Sequence, residues 1–533
     1  MSQPPQPRAS AARTGARHAA HAARVHAGLF ARPTRAVEWA CTLIVALFGA
    51  LLRFVRLGEP RAVVFDETYY VKDAWTMLQT GEPRNWPQTV PYLGQDVNPN
   101  IPFASGETDL WLDSAEYVVH PPMGKWFIAW GLKLFGGAAN PFAWRAATAI
   151  AGTIAIIVLI RVILRLFHNL PIALFGGVLM AIDGVGITMS RTGLLDIFIM
   201  VLALGAFSLL LMHRDWAKAR LGRAADPGAR PPQIAVSWYR IGAAVLLGLA
   251  TGVKWSGTYF MAVFCVTSVL WDAWMRHQAG YRRWFITGVL RDGALAACTM
   301  LPAYALTYLA TWAGWFLHPD SYMHDWARLH PGEGIQWLPE SWRSFVQYHA
   351  QMWQFHTTLD APHDYKANPL TWPLQIRPTS FYWEKLPDHP GLCSLAPHSQ
   401  CVAAVTSLGN PLIWWLGSLC ALGAIAIAIW RRGDWRIWAV LAGFLGGWLP
   451  WAQYLNRTTF TFYSIVLLPW MIMAICYVFD WLRTTVSRAT WQAALGSTLG
   501  LCLLVSAFFY PIWTAMPVPY EFWLSHMWLE SWI

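Results

Sequence analysis

Charge is scarce in this chain. Of its 533 residues only 13% are Asp, Glu, Lys or Arg, roughly half of the ~25% usual in soluble domains, and mean hydropathy is +0.34. A water-soluble enzyme of this length, a disordered chain and a coiled coil are thereby excluded. Cysteine is sparse as well: eight residues do not make a disulfide-rich secreted scaffold. There is no zinc-finger spacing and no basic run interleaved with aromatics, so the net charge of +10 does not point to nucleic acid. No HExxH or Cys/His ligand spacing occurs. Internal repeats and Gly/Ser linkers are missing too, which argues for one continuous domain.

What the chain has is apolar length and aromatic rings. The 35 Trp and 18 Tyr suit a protein with two membrane–water interfaces, where amphipathic rings settle. Runs of roughly 17–25 apolar residues mark membrane helices. Eleven are predicted, at 37–56, 141–165, 170–186, 193–212, 239–254, 257–275, 290–312, 411–430, 435–452, 460–481 and 492–513. The segment 126–137 is apolar but too short to cross, and reads as an interfacial or re-entrant helix. Residues 1–36 are Arg- and Ala-rich without an acid, and read as a disordered cytoplasmic tail ahead of a retained helix.

Charge placement orients the bundle. With the N-terminus inside, the inside loops 213–238, 276–289, 431–434 and 482–491 are all basic, whereas the long outside loops, about 57–140 and 313–410, carry more acids than bases. This is the positive-inside pattern. Counting 126–137 as a further span would invert every later loop. The domain is therefore 37–513, with an outer-face C-terminal segment at 514–533. The expected location is the cytoplasmic (inner) membrane, multi-pass, with the N-terminus cytoplasmic, and the C-terminus and the site extracytoplasmic.

Candidate chemistry gathers at the outer ends of helices. Asp66 and Glu67 follow helix one in an aromatic setting, VVFDETYYVKDAW. Adjacent carboxylates near a bilayer are costly to desolvate without partners, and one member of such a pair can act as a base. Taken alone, an Asp-Glu pair is more often a solvated loop start. His120 and Lys125, in VVHPPMGKW, stand where a cation meets a lipid phosphate, and Arg145 opens helix two at its outer end. Asp183, Arg191 and Asp196 surround a short outside turn, where an Asp–Arg structural pair is an equal reading. Lys254 and Arg457 lie in outer turns against the general charge bias, with Tyr463 nearby, and Arg53 sits at the outer end of helix one. The eight histidines of loop 313–410 read as a wet, aromatic binding loop rather than a metal site. Cys393 and Cys401 bracket CSLAPHSQC and are a disulfide candidate if that loop is extracytoplasmic, two free thiols otherwise. The other six cysteines fall in apolar runs and read as core residues.

Seven segments in order, FDETYYVKDAW (65–75), HPPMGKW (120–126), DG…SR…LLD (183–196), GVKWSG (252–257), NPLTWPLQIRP (368–378), GNPLIWW (409–415) and RTTFTFY (457–463), resemble the bacterial protein O-mannosyltransferase family. The resemblance covers most of 40–480. It implies an all-α polytopic GT-C fold, a polyprenyl-phosphate-mannose donor and a Ser or Thr acceptor on an exported polypeptide, and it leaves association with export machinery open. By position it makes Asp66 the base and Glu67 its companion. Arg145 matches the family's donor-phosphate arginine, with His120, Lys125 and Arg457 as further phosphate contacts. Arg53, Asp183, Arg191, Asp196, Lys254, Arg377 and Tyr463 are supporting positions. Loop 313–410 is too short for the β-trefoil domain of eukaryotic relatives. No cofactor is spelled out; a divalent cation, Mg or Mn, beside Asp66 and Glu67 is compatible, with no dedicated cage. Two competing readings are a GT-C transferase adding a lipid-carried sugar such as aminoarabinose to lipid A, and a lipid transporter. Polar residues at helix ends and the lack of a repeat argue against the transporter.

Overall fold

The computed structural model describes residues 33–222, 226–388, 390–430 and 433–533. Most of the expected tail, 1–32, lies outside the described residues. Each of the eleven expected spans contains a helix. Among the described residues eight helices are long and apolar enough to cross a membrane, and the pair Leu170–Ile182 and Gly184–Ser190, bent by 57°, makes a ninth if counted as one span. Trp238–Val253 (16 residues) and Trp435–Gly447 (13 residues) are shorter. The chain is a multi-pass membrane protein.

Helix starts are written locally. Asn140 and Asn169 accept from the backbone N–H of Phe142 and Ile172, each ahead of a proline in the first turn, which supplies a missing N–H where none is needed. Ser237 and Ser487 cap Trp238–Val253 and Arg488–Trp513 in the same way. The expected continuous span 170–186 is instead broken at Asp183. Its backbone turns extended, and its carboxylate caps the following short helix by accepting from Gly186 N–H at 3.0 Å.

The break exposes carbonyls inside the bundle, and Arg53 answers them. Its guanidinium is fully buried and donates to Met180 O (3.1 Å), Ala181 O (2.9 Å), Gly49 O (3.0 Å) and Ser190 Oγ (3.1 Å). Unsatisfied backbone groups at membrane depth cost several kcal/mol each, so this arginine is a structural part of the bend.

The two long loops meet at one end of the bundle. The first contributes helices Glu67–Thr80 and Met123–Leu134; the second is the short apolar element expected at 126–137. A two-residue turn with positive φ at Leu93 and Gly94 joins strands Val90–Tyr92 and Gln95–Val97, as tight hairpins require. The second long loop holds helix Glu340–Thr358 and the antiparallel strands Thr379–Leu386 and Cys401–Ser407. The latter also pairs with Val518–Pro519. This small sheet departs from an all-helical chain. A disulfide joins Cys393 and Cys401 at its corner. Tyr348 locks the loops together: its hydroxyl donates to Val118 O (3.1 Å) and accepts from Val118 N–H (3.2 Å).

Candidate active site

Phe65 determines how Asp66 is presented. Its φ is +46°, a left-handed backbone that costs a bulky residue about 1–3 kcal/mol unless its surroundings hold it. Four rings do so: Phe381 at 5.0 Å, Phe462 at 5.6 Å, Phe460 at 5.7 Å and His363 at 6.2 Å. The chain therefore turns sharply into helix Glu67–Thr80. Asp66 takes the N-cap position yet makes no side-chain cap bond, so its carboxylate is free for other work.

The two acids then diverge. Glu67 is fully buried and forms a bidentate pair with Arg145, Oε1 to Nε at 2.8 Å and Oε2 to Nη2 at 2.9 Å. It also accepts from Gly193 N–H (2.7 Å) and Val64 N–H (3.0 Å). Gly193 is required for this approach, since a Cβ there would stand 2.7 Å from Val71 Cγ2. Arg145 gives its remaining N–H groups to Leu57 O, Pro60 O and Ala62 O. All five of its donors are thus used, and its side chain is fully buried. The phosphate contact expected for Arg145 finds no free N–H here; this residue instead ties down the segment that carries Asp66.

Asp66 is half-buried, with the Tyr70 hydroxyl 3.5 Å from its Oδ2. Burial pushes its pKa up to about 6, with Lys254 lowering it and Asp196 raising it. A carboxylate poised there is mostly ionised at neutral pH yet basic enough to accept a proton.

Asp66 does not itself line the nearby cavity of about 390 Å³, but Lys254 and Asp196, which act on its charge, do. The polar end of this cavity is formed by Asp196, Lys254, His120, His356, Arg457 and Tyr463. Its other walls are aromatic, with Trp255, Tyr259, Tyr304, Tyr308, Trp353 and Trp451. Lys254 Nζ pairs with Asp196 Oδ2 at 2.8 Å and lies 4.8 Å from the Tyr463 ring centre. His356 donates from Nε2 to Val119 O (2.7 Å), which leaves Nδ1 to accept from Arg457 Nη2 (3.2 Å). Burial pushes its pKa down to about 4, in keeping with this neutral tautomer. Arg457 also donates to His356 O (2.8 Å) and Thr458 O (3.3 Å). Three of its five N–H groups are thus used, and the other two have no partner among the described residues.

Other expected site residues lie elsewhere. Lys125 is buried against Asp73 (3.0 Å), away from the cavity lining. Arg191 donates to Arg53 O, Val55 O and Arg56 O, closing the C-terminal carbonyls of the first helix. Asp183 also accepts from Asn410 N–H and Trp414 Nε1. Arg377 reaches Asp364 O, Ser531 O and Ile533 O, pinning the last residues to the second long loop. Among the described residues no group of three His, Cys, Asp or Glu is arranged for a metal ion.

Comparison with known proteins adds to this geometry. Residues 341–532 match the model of the C-terminal four-TMM region of protein-O-mannosyltransferase, and residues 119–224 that of dolichyl-phosphate-mannose-protein mannosyltransferase. The polyprenol-phosphate-mannose–protein mannosyltransferase of Mycolicibacterium smegmatis (strain MKD8) is 32% identical over 521 residues, covering 93% of each chain. The chain belongs to the protein O-mannosyltransferase family. The relative of the same name from Mycobacterium tuberculosis is 31% identical over 522 residues, covering 93% of this chain and 92% of that one. The Saccharomyces cerevisiae Pmt1-Pmt2 complex bound to the sugar donor superposes with a TM-score of 0.70 at 14% identity, covering 95% and 94% of the two chains. The fold is accordingly that of the GT-C glycosyltransferases.

In this mannosyltransferase-family chain, several site residues carried no distinct sequence signal. Tyr70, which touches Asp66 without lining the cavity, is one aromatic among several after Asp66. His349 and His356 are two of the eight histidines of loop 313–410, with no ligand spacing to single them out; both line the cavity. Tyr259, Tyr304, Tyr308 and Trp451 fall inside predicted spans, whereas Trp255 lies in the GVKWSG segment and Trp353 in the loop read as an aromatic binding loop.

Proposed function

We propose that this chain transfers mannose from a polyprenyl-phosphate-mannose donor to Ser or Thr hydroxyls of exported polypeptides, with inversion at the anomeric carbon. The observation that carries the reading is Asp66: an otherwise uncommitted carboxylate with a raised pKa, near a cavity whose polar end holds Lys254 and Arg457 and whose walls are aromatic. Asp66 takes the proton of the acceptor hydroxyl as its oxygen bonds to the anomeric carbon. The bond from that carbon to the phosphate oxygen breaks, and polyprenyl phosphate leaves with a second negative charge. The open N–H groups of Arg457 and the ammonium of Lys254 meet that charge. The aromatic walls suit the first isoprene units, and the rest of the prenyl chain remains in lipid.

Glu67 and Arg145 are positioning residues in this scheme. They fix the segment from Leu57 to Glu67, so Asp66 keeps its place while its neighbour stays paired with Arg145. The basic loops opposite the site support the cytoplasmic membrane, with catalysis on the extracytoplasmic face. The names of the relatives favour a protein acceptor over lipid A, and favour transfer over transport. Purified full-length protein, a labelled mannosyl lipid and a Thr-rich peptide test the reading. Wild type labels the peptide and Asp66→Asn does not; near-normal turnover by Asp66→Asn refutes the assignment, and labelling of lipid A in place of peptide refutes the acceptor class.

A further inference from the structure

His120 stands in the cavity wall without a protein partner. Its Nδ1 is sealed from solvent with no hydrogen-bond partner, and among the described residues none bonds to its Nε2. The ring is nonetheless held firmly. It stacks on His356 at 5.1 Å with 17° between planes and lies 6.2 Å from the Tyr70 ring. His356 is itself fixed by Val119 O and Arg457. Pro121 and Pro122 follow directly and start helix Met123–Leu134, so the backbone offers little freedom. The sealed Nδ1 is beyond a ligand's reach, so a ligand in the cavity that His120 lines can complete only the unpartnered Nε2.

The environment decides what kind of ligand. Burial, then Lys254, His356, Lys125 and Arg457, hold the imidazole well below its ordinary pKa. It is uncharged at neutral pH and adds no counter-charge to a phosphate, which departs from the phosphate contact expected from sequence. It offers one hydrogen bond into the cavity. In the transfer reading above, on which this inference rests, Asp66 engages the acceptor hydroxyl, and Arg457 and Lys254 engage the phosphate. The polar groups left on a glycosyl phosphate are the hydroxyls of the sugar ring.

We propose that His120 hydrogen-bonds a ring hydroxyl of the transferred sugar and so contributes to selection of the glycosyl group. A site built to pair a hydroxyl discriminates strongly against the analogue lacking it.

The test uses full-length protein in lipid nanodiscs with polyprenyl-phosphate-mannose, its set of monodeoxy-mannose analogues, and a Thr peptide. With wild type, one deoxy donor loses about tenfold to a hundredfold in kcat/KM. His120→Phe keeps the stack on His356 and removes both nitrogens. It should lose a similar factor on the full sugar and little more on that same deoxy donor, with the acceptor KM unchanged. His120→Gln, which restores one polar group, should recover part of the loss on the full sugar. Penalties that multiply across every donor, a fully active His120→Phe, or an effect confined to the acceptor KM would each overturn the proposal. If His120→Phe does not accumulate as folded protein, the same comparison is made with His120→Gln against His120→Leu. A wild type inactive with every mannosyl donor refutes the transfer reading as well, whereas an active wild type with multiplying penalties refutes this inference alone.

Discussion

Arg145 separates two accounts of the site. As a phosphate ligand it would be dispensable for folding, and its loss would raise the donor KM. As the structure has it, the guanidinium holds five acceptors in a fully buried place. Removing it leaves Glu67 with only the N–H groups of Val64 and Gly193, and leaves three loop carbonyls without their donor. Breaking a buried pair from one side costs about 3–5 kcal/mol. Arg145→Lys keeps the charge but brings three N–H groups to five acceptors, so at least two lose their partner, at a cost of about 2–4 kcal/mol. The measurement is equilibrium unfolding of full-length protein in mixed micelles, with donor KM measured on the folded fraction. Arg145→Lys should unfold at clearly lower denaturant, with lowered kcat and a donor KM within about threefold of wild type, a difference of only ~0.6 kcal/mol. Glu67→Gln with Arg145→Met should be less damaging than the sum of the single changes, with coupling near the upper end of the ~0.5–3 kcal/mol seen for contacting residues. Wild-type stability in Arg145→Lys together with a tenfold higher donor KM would refute the reasoning.

The other predictions concern Asp66, Arg457 and the disulfide of the second long loop. Activity should fall as pH drops through about 6, because Asp66, raised by burial, becomes protonated and can no longer accept the hydroxyl proton; a kcat/KM profile flat from pH 5 to 8 (about one unit below the shifted value to two above) contradicts this. The same raised pKa makes the folded protein hold the proton more tightly than the unfolded chain, so Asp66 contributes falling stability as pH rises from about 4 to 6, visible as a slope that Asp66→Asn removes. Arg457→Ala should raise the donor KM and weaken inhibition by polyprenyl phosphate, and should also lower stability, because His356 O, Thr458 O and His356 Nδ1 lose their donor; an unaltered inhibition constant argues against its phosphate role. Replacing Cys393 and Cys401 by Ser opens a link across eight residues of sequence, which loop entropy values at about 2.5 kcal/mol; the expected result is faster proteolysis at 387–400, and unchanged cleavage would count against it.

Much of the architecture was legible because lipid demands long apolar runs, and these are hard to write by accident. The bend at Asp183 was not, since the surrounding residues stay apolar through Ser190. The only clue was an Asp-Gly pair inside a span, and its meaning depends on Arg53 reaching across from another helix. The pair Asp66-Glu67 was legible as a place but not as a division of labour. That division comes from Phe65, whose left-handed backbone is stabilised by rings drawn from residues 363, 381, 460 and 462, far away in sequence.

The cations show why residue type alone misleads in a membrane enzyme. By sequence Arg145 is a phosphate contact and Arg53, Arg191 and Arg377 are supporting positions of the site. In the fold each spends its fork chiefly on backbone carbonyls: a broken helix, the loop before Asp66, the end of the first helix, and the C-terminal segment. A bundle with irregular backbone near the bilayer needs dense donors for such carbonyls, and a guanidinium with five N–H groups is the densest side chain for that purpose. What marks a ligand-binding cation is therefore an unspent donor facing a cavity. By that criterion Arg457 stands apart from these four arginines, with Lys254 beside it. Both sit in turns following spans, where a short motif rather than hydropathy singled them out.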